Sequence, residues 1–574
     1  LRQNNNALDN CHEIITSEDY VDIYALRLLP DVDIEEVAEE AGAECIQKIT
    51  DKDYIFHIKV GEGACREFYN SIPYLKVPNI YTLSSLSSIE AAGIGPVLKS
   101  EALDLSGNGV IIGIIDTGID YTHEAFIYED NTSKIISIWD QTQAGSPPDG
   151  FQYGTEYTDE QINEALESET PLSLVPTGDE IGHGTYIAGI SAGRPNRKKN
   201  FSGAAPNADL IIVKLKESKK CILEFFEVKE DAIAFQSNDI LQGLNYIIKK
   251  ARELKRPVVV LFTGASNEGP HNGDALPERV FAEMGRSYGV IIVLAAGNEA
   301  NASHHFHGVF EKKEKRKEVQ LNIAEMERGL FISLWSRLPD ELEIEIISPS
   351  GETTDRVPAI SGKWQKFAFP IESTEILIDY ELIEERTAEE AIYIKIINPT
   401  SGLWTLVIYG EIIINKEFNI WLPVRGLIDD NTIFLKPSPD TTIVNPAANK
   451  RTITVGAFND VINSIYVPSS RGYTTENLVK PDIVAPGVNV FGPYPKDQYG
   501  VMSGTSVSAA MTAGASALLL EWGIIKGNQP ALNTMAAKTH LARGAMRRTG
   551  ITYPNREWGY GELDLLNTFK IIER

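Results

Sequence analysis

Cysteine, basic residues and long apolar runs are all scarce in this chain, and each shortage excludes something. Only four cysteines, Cys11, Cys45, Cys65 and Cys221, occur in 574 residues, with no Cys-x-x-Cys pair. That count argues against a zinc site or a disulfide framework and leaves isolated buried thiols as the expectation. Lys and Arg number 53 against 80 Asp and Glu, a net charge of −27. A field of that sign repels phosphate backbones and anionic lipid surfaces, so no nucleic-acid partner is expected. No apolar stretch approaches the roughly 20 residues of a membrane span; the best runs, Val110 to Ile115 and Val290 to Ala296, have the length of buried strands. Residues 1–10 show no basic start followed by an apolar core, so a soluble chain without a visible secretory leader is expected.

What is present is an ordinary globular composition, 43% hydrophobic and 23% charged, in a chain long enough for several folded units. Tyr24 to Leu29, Asp33 to Ala41 and Tyr54 to Val60 read as strand, acidic helix and strand, a small β-α-β unit. The helix is opened by Asp31 or Asp33. Tyr81 to Ser88 (YTLSSLSS) has the composition of an exposed linker. From Gly109 onward, short apolar strands alternate with Gly-rich turns and helical patterns: Val110 to Ile115, Ala208 to Leu215, Pro257 to Phe262, Val290 to Ala296 and Thr452 to Val455. Alternation of that kind predicts a parallel sheet covered on both faces by helices, with function gathered at the carboxyl ends of its strands. After the charge run Glu311 to Glu318, read as a solvated boundary, short strands with turn signals continue to about Lys436, which predicts an inserted all-β sandwich. The expected division is therefore 1–86, 87–310, 311–436 and 437–574, the second and fourth segments forming one α/β domain.

Three motifs sit where strands end or helices begin: Asp116-Thr117-Gly118, His183-Gly184-Thr185 and Gly504-Thr505-Ser506. Singly, each reads as a turn or a cap. Together they supply what acyl transfer needs. A serine hydroxyl is a weak nucleophile until an imidazole takes its proton, and a buried carboxylate fixes that imidazole's tautomer. An aspartic protease would need a second Asp-Thr-Gly, and there is one. Asn298, in Ala295-Ala296-Gly297-Asn298 after a strand, could offer its amide to an oxyanion, with the Ser506 backbone N–H as second donor.

With Asp, His and Ser in that chain order, the sequence resembles the subtilisin family of serine proteases. The phrases that carry it are GIIDTGIDYTHEAF, GHGTYIAGI, GAAPNADLIIVKL, VLAAGNE, KPDIVAPG and SGTSVSAAMTAGASAL. The resemblance implies Asp116, His183 and Ser506 as catalytic residues and Asn298 as the oxyanion residue. The β insert, the acidic balance and the phrases SIWDQT, FQSNDI and GNEANASHHFHG make the chain similar to the clostridial Csp germination proteases. In that group the insert is a jelly roll, and the enzyme cleaves a cortex-lytic proenzyme in the spore. The resemblance thus implies a protein substrate of that class and a spore location. It also makes residues 1–86 a prodomain whose tail lies in the cleft, with autocleavage within Leu83, Ser84, Ser85, Leu86, Ser87 and Ser88. After such a cut the catalytic part would keep only Cys221, with no disulfide to hold it.

Some positions depart from the family pattern. Phe262-Thr263-Gly264 replaces Ser-Leu-Gly or Ser-Phe-Gly on the substrate-binding strand, which implies an altered specificity wall, and Val507-Ser508-Ala509-Ala510 follows the nucleophile. Glu217 to Ala234 reads as a charged, solvated loop. His304, His305 and His307 form a cluster, but neither their spacing nor any nearby Cys or carboxylate set matches a metal site, and there is no Asp-rich calcium loop. No metal and no cofactor is expected. Two rival readings remain: a pseudoprotease that regulates partners, against which the retained Asp, His, Ser and Asn weigh, and a general scavenging protease.

Overall fold

Runs of β-branched residues build the centre of the molecule. Ile111–Asp116, Val258–Phe262 and Val290–Ala295 are buried along their whole length, as strands covered on both faces must be. The structure is a computed structural model and describes residues 11–27, 32–61, 64–83, 92–384 and 387–573. These strands lie at the middle of a nine-stranded sheet. Its order runs Ser464–Ile465, Ile453–Asn459, Val290–Ala295, Val258–Phe262, Ile111–Asp116, Asp209–Lys214, Ile135–Asp140 and Thr155–Thr158, with Ile483–Pro486 beside Ile453–Asn459. The strands from Ile453–Asn459 to Ile135–Asp140 pair in parallel. Helices His183–Ala192 and Thr505–Leu520 pack on one face and Ser237–Glu253 on the other. This is the α/β architecture expected.

The helix Thr505–Leu520 is made almost entirely of small and apolar residues and is buried at every position. With the turn that follows, to Ile525, it is long and apolar enough to cross a membrane by length and composition, contrary to the expectation that no such segment exists. Its burial marks it as the core helix of the α/β body.

Two antiparallel sheets, one of six strands and one of four, face each other across a core of Leu, Ile, Phe and Trp404. They form the expected sandwich. His305–Val309 is an edge strand of the larger sheet, and Ile433–Phe434 closes the smaller one. His305 therefore serves the sandwich: its ring stacks on Trp421 with centroids 4.9 Å apart, and Nε2 meets Asn419 Oδ1 at 3.0 Å.

The N-terminal unit is an antiparallel sheet in the order Tyr20–Leu26, Asp53–Lys59, Ala43–Lys48, with the helix Ile34–Glu40 capped by Asp33. The third strand, AECIQK, was not anticipated. The mixed polarity that hides it in the sequence is that of an edge strand with alternating burial. The start of the expected linker, Tyr81 to Leu83, instead belongs to Ile80–Leu83, the middle strand between Phe235–Gln236 and Gly264–Ala265. Pairing on both edges overrides its composition, and Tyr81 is 1% exposed. Residues 84–91, where the remaining cleavage candidates Ser84, Ser85, Leu86, Ser87 and Ser88 fall, lie outside the described residues.

The cysteine expectation is also corrected. Cys11 bonds to Cys45 within the N-terminal unit, and Cys65 bonds to Cys221 between that unit and the α/β body. The partners are 34 and 156 residues apart in sequence, yet the fold brings their Cα atoms to 5.6 and 5.4 Å, within disulfide reach. Cys221 lies in the first turn of the short helix Lys220–Phe225, so the segment read as a solvated loop is an anchor. Cys221, Ile222, Phe225 and Phe226 are buried against Tyr69 and Tyr74 of the N-terminal unit and Phe331 and Tyr393 of the sandwich. Tyr74 stacks on Tyr393 with ring centroids 4.1 Å apart.

The same interface buries a polar knot around Asp22 of the N-terminal unit. Asp22 Oδ1 meets Lys219 Nζ and His57 Nδ1, each at 2.7 Å, and its Oδ2 accepts from Gln236 Nε2 at 3.0 Å and Asn238 Nδ2 at 3.1 Å. Burial alone would raise this carboxyl's pKa, but the Lys219 ammonium and His57 hold it far below the usual carboxylate range.

Candidate active site

Asp116 is the last residue of the central strand Ile111–Asp116, so its carboxylate emerges at the carboxyl edge of the sheet. Oδ1 meets His183 Nδ1 at 2.7 Å and accepts the Thr117 N–H at 2.8 Å; Oδ2 accepts the Thr263 hydroxyl at 3.0 Å. Burial pushes the Asp116 pKa upward, yet His183 and these hydrogen bonds outweigh it and hold the group below its ordinary value. A buried carboxylate that stays ionised beside Nδ1 keeps the imidazole in one orientation.

His183 opens the helix His183–Ala192 and is 3% exposed. Asp179, which no motif had flagged, holds that helix start. Its Oδ1 accepts the Gly182 N–H and the Thr117 hydroxyl, each at 2.8 Å, and its Oδ2 accepts the Thr185 N–H at 2.8 Å and the Thr185 hydroxyl at 2.7 Å. This is capping chemistry supplied from four residues upstream of His183. The spacing Asp-x-x-x-His-Gly-Thr was the signal available in the sequence. The approach of helix to strand also depends on Gly184, where a Cβ would lie 2.2 Å from Gly118 O.

Ser506 is the second residue of the helix Thr505–Leu520, which packs against His183–Ala192. Its Oγ is buried and has no hydrogen-bond partner among the described residues, so the structure brings Asp116 and His183 into direct contact but does not close a bond from His183 to Ser506. Asn298 is tied to the helix that carries Ser506. Its Oδ1 accepts the Thr505 N–H at 3.2 Å, and the Thr505 hydroxyl in turn accepts the Gly297 N–H at 3.2 Å. With Oδ1 so held, Nδ2 is the donor end of the amide.

The three residues expected to bind substrate do three different things. Gly264 pairs with Leu83, and Ala265 with Thr82, in antiparallel register. Thr263 turns its side chain to Asp116, a role sequence reading did not assign. Phe262 stacks on Phe281 and meets the ring of Tyr81 edge-on, both at 5.7 Å between centroids. A Cβ at position 264 would stand 2.5 Å from the Phe262 ring, so glycine here leaves room for that ring.

A family model described as the subtilase family matches residues 107–320 and 430–561, which takes in Asp116, His183, Asn298 and Ser506. The chain belongs to the subtilase family. The interruption of that match falls within the inserted sandwich. Among solved structures, this subtilase is similar to the CspB protease of Clostridium perfringens. The TM-score is 0.75 and the identity 32%, with 84% of this chain and 97% of that one covered. Among curated proteins it is similar to the C5a peptidase of Streptococcus pyogenes serotype M6, 23% identical over 72% of this chain and 34% of the relative. It is also similar to the mouse membrane-bound transcription factor site-1 protease, 36% identical over 23% of this chain and 12% of the relative. This subtilase thus spans about a third of the length of the C5a peptidase it matches.

Proposed function

We propose that the chain is a serine endopeptidase whose first substrate is its own N-terminal segment. In this reading Ser506 Oγ attacks a peptide carbonyl while His183 Nε2 takes the hydroxyl proton, and the imidazolium then delivers that proton to the leaving amine. Asp116 holds His183 through Nδ1 and stabilises its charged form. Asn298 Nδ2 and the Ser506 backbone N–H hold the oxyanion. The missing Ser506 to His183 hydrogen bond is compatible with this chemistry, because such bonds often tighten only when substrate arrives.

The observation that carries the reading is the strand Ile80–Leu83, seated between Phe235–Gln236 and Gly264–Ala265. It runs antiparallel to the residues beside Thr263, and Thr263 touches Asp116. A segment laid along that edge is presented as a substrate. Residues 1–86 then act as a prodomain, and cleavage falls within 83–88.

Likeness to the Csp proteases extends the proposal to a second substrate, the proenzyme of a spore cortex hydrolase, cut once during germination. Incubating the purified chain with such a proenzyme tests this. One defined cut that is absent with Ser506→Ala supports it; an untouched proenzyme, or its digestion to many fragments together with casein, contradicts it.

A further inference from the structure

Tyr81 is a buried aromatic side chain of the strand Ile80–Leu83, and its surroundings are specific to a phenol. The ring meets Phe262 edge-on, and Phe262 is backed by Phe281. At the far end its hydroxyl lies 3.1 Å from Asn445 Oδ1. Asn445 comes from the α/β body, is 4% exposed, and is held from two sides. Its backbone exchanges hydrogen bonds with Ser266 in both directions, at 2.9 and 3.2 Å. Its other amide atom lies 3.0 Å from the Glu268 carbonyl, which can only accept, so that atom is the nitrogen. Oδ1 is thereby aimed at the tyrosine as an acceptor.

We propose that Asn445 is a specificity-determining residue that reads a tyrosine hydroxyl in the substrate position occupied by Tyr81. The inference rests on the proteolytic reading above and adds a discrimination to it. An aromatic wall alone distinguishes ring from aliphatic side chain but accepts phenylalanine as readily as tyrosine. A fixed, buried acceptor does not, because phenylalanine would leave Asn445 Oδ1 desolvated and unpaired. A protein substrate cut by this enzyme should therefore carry tyrosine at the place that pairs as Tyr81 does, two residues before the one facing Gly264.

The chain's own processing provides the test. Wild type, Tyr81→Phe, Asn445→Ala and the double variant are produced in a cell-free system, and the uncut fraction is followed with time. Tyr81→Phe, which removes one oxygen, should process roughly tenfold or more slowly than wild type. In the Asn445→Ala background the same change should have little effect, since the acceptor is gone. Tyr81→Phe is also made in the Ser506→Ala chain, where an unchanged Tm shows that the loss is not one of folding. Should Asn445→Ala fail to fold, the comparison of wild type with Tyr81→Phe still decides. Equal processing by those two overturns the inference and leaves the proteolytic reading standing. A wild type that is never cut, or is cut equally as Ser506→Ala, overturns both.

Discussion

Thr263 donates its hydroxyl to Asp116 Oδ2 at 3.0 Å while the next residue, Gly264, pairs with the tail strand at Leu83. The strand that would hold substrate therefore also braces the carboxylate that orients His183. Thr263→Val keeps the shape and removes the donor from a buried anion, a loss that for hydrogen bonds to charged groups is about 1.5–3 kcal/mol. If that support is felt in the reaction, kcat falls roughly 10- to 100-fold. Thr263→Ser should restore most of it and leave KM near the wild-type value. A Thr263→Val enzyme with undiminished kcat would show that the brace is structural only.

Asn298→Ala removes the proposed oxyanion donor and should lower kcat by about 10² to 10³ with little change in KM. Its Oδ1 is also anchored to the Thr505 N–H, so the Tm is measured alongside. A fall in stability with kcat intact would make Asn298 a tie for the helix rather than a catalytic donor.

Glu268 gives a pH signature to the N-terminal interface. Its Oε2 accepts the Tyr74 hydroxyl at 2.7 Å, and burial pushes its pKa up to about 7. A carboxyl raised in the folded state binds its proton more tightly there than in the unfolded chain. Its stabilising contribution is full below the ordinary carboxylate value, is lost as pH rises across that window, and is gone above about 7. Glu268→Gln mimics the neutral form. The variant should match wild type in Tm near pH 4 and exceed it near pH 8; a constant difference at both pH values would contradict the assignment.

The Cys65 to Cys221 bond joins two segments that the proposed cleavage would separate. After processing, a denaturing gel without reductant should still show one species near 63.4 kDa, and reductant should split it into two. Cys221→Ser should give two species in either case. Two bands without reductant from the wild type would mean that the bond does not form.

Much of the fold was legible because its signals are local. Apolar runs such as Val258 to Phe262 have the length and β-branched content of buried strands. Asp116, His183, Asn298 and Ser506 were visible because each lies beside a Gly or Thr at an element's end. What was not legible depends on contacts distant in sequence. Tyr81 looks like linker until Phe235–Gln236 and Gly264–Ala265 close on it. The segment around Cys221 looks solvated until Tyr69, Tyr74, Phe331 and Tyr393 cover it. Cysteine count speaks to how many bonds a chain could have, not to which thiols the fold sets side by side. Thr263 was read only as part of a substrate wall and Asp179 offered only its spacing before His183, and geometry shows that both serve the Asp116 and His183 pair.

The most direct measurement compares intact masses, after full reduction, of the purified wild type and Ser506→Ala. The account predicts two pieces from the wild type, separated at a bond between residues 83 and 88, and one uncut chain from Ser506→Ala. An uncut, folded wild type would contradict it and favour a silent member of the family, and the same two pieces from both proteins would mean that another protease made the cut.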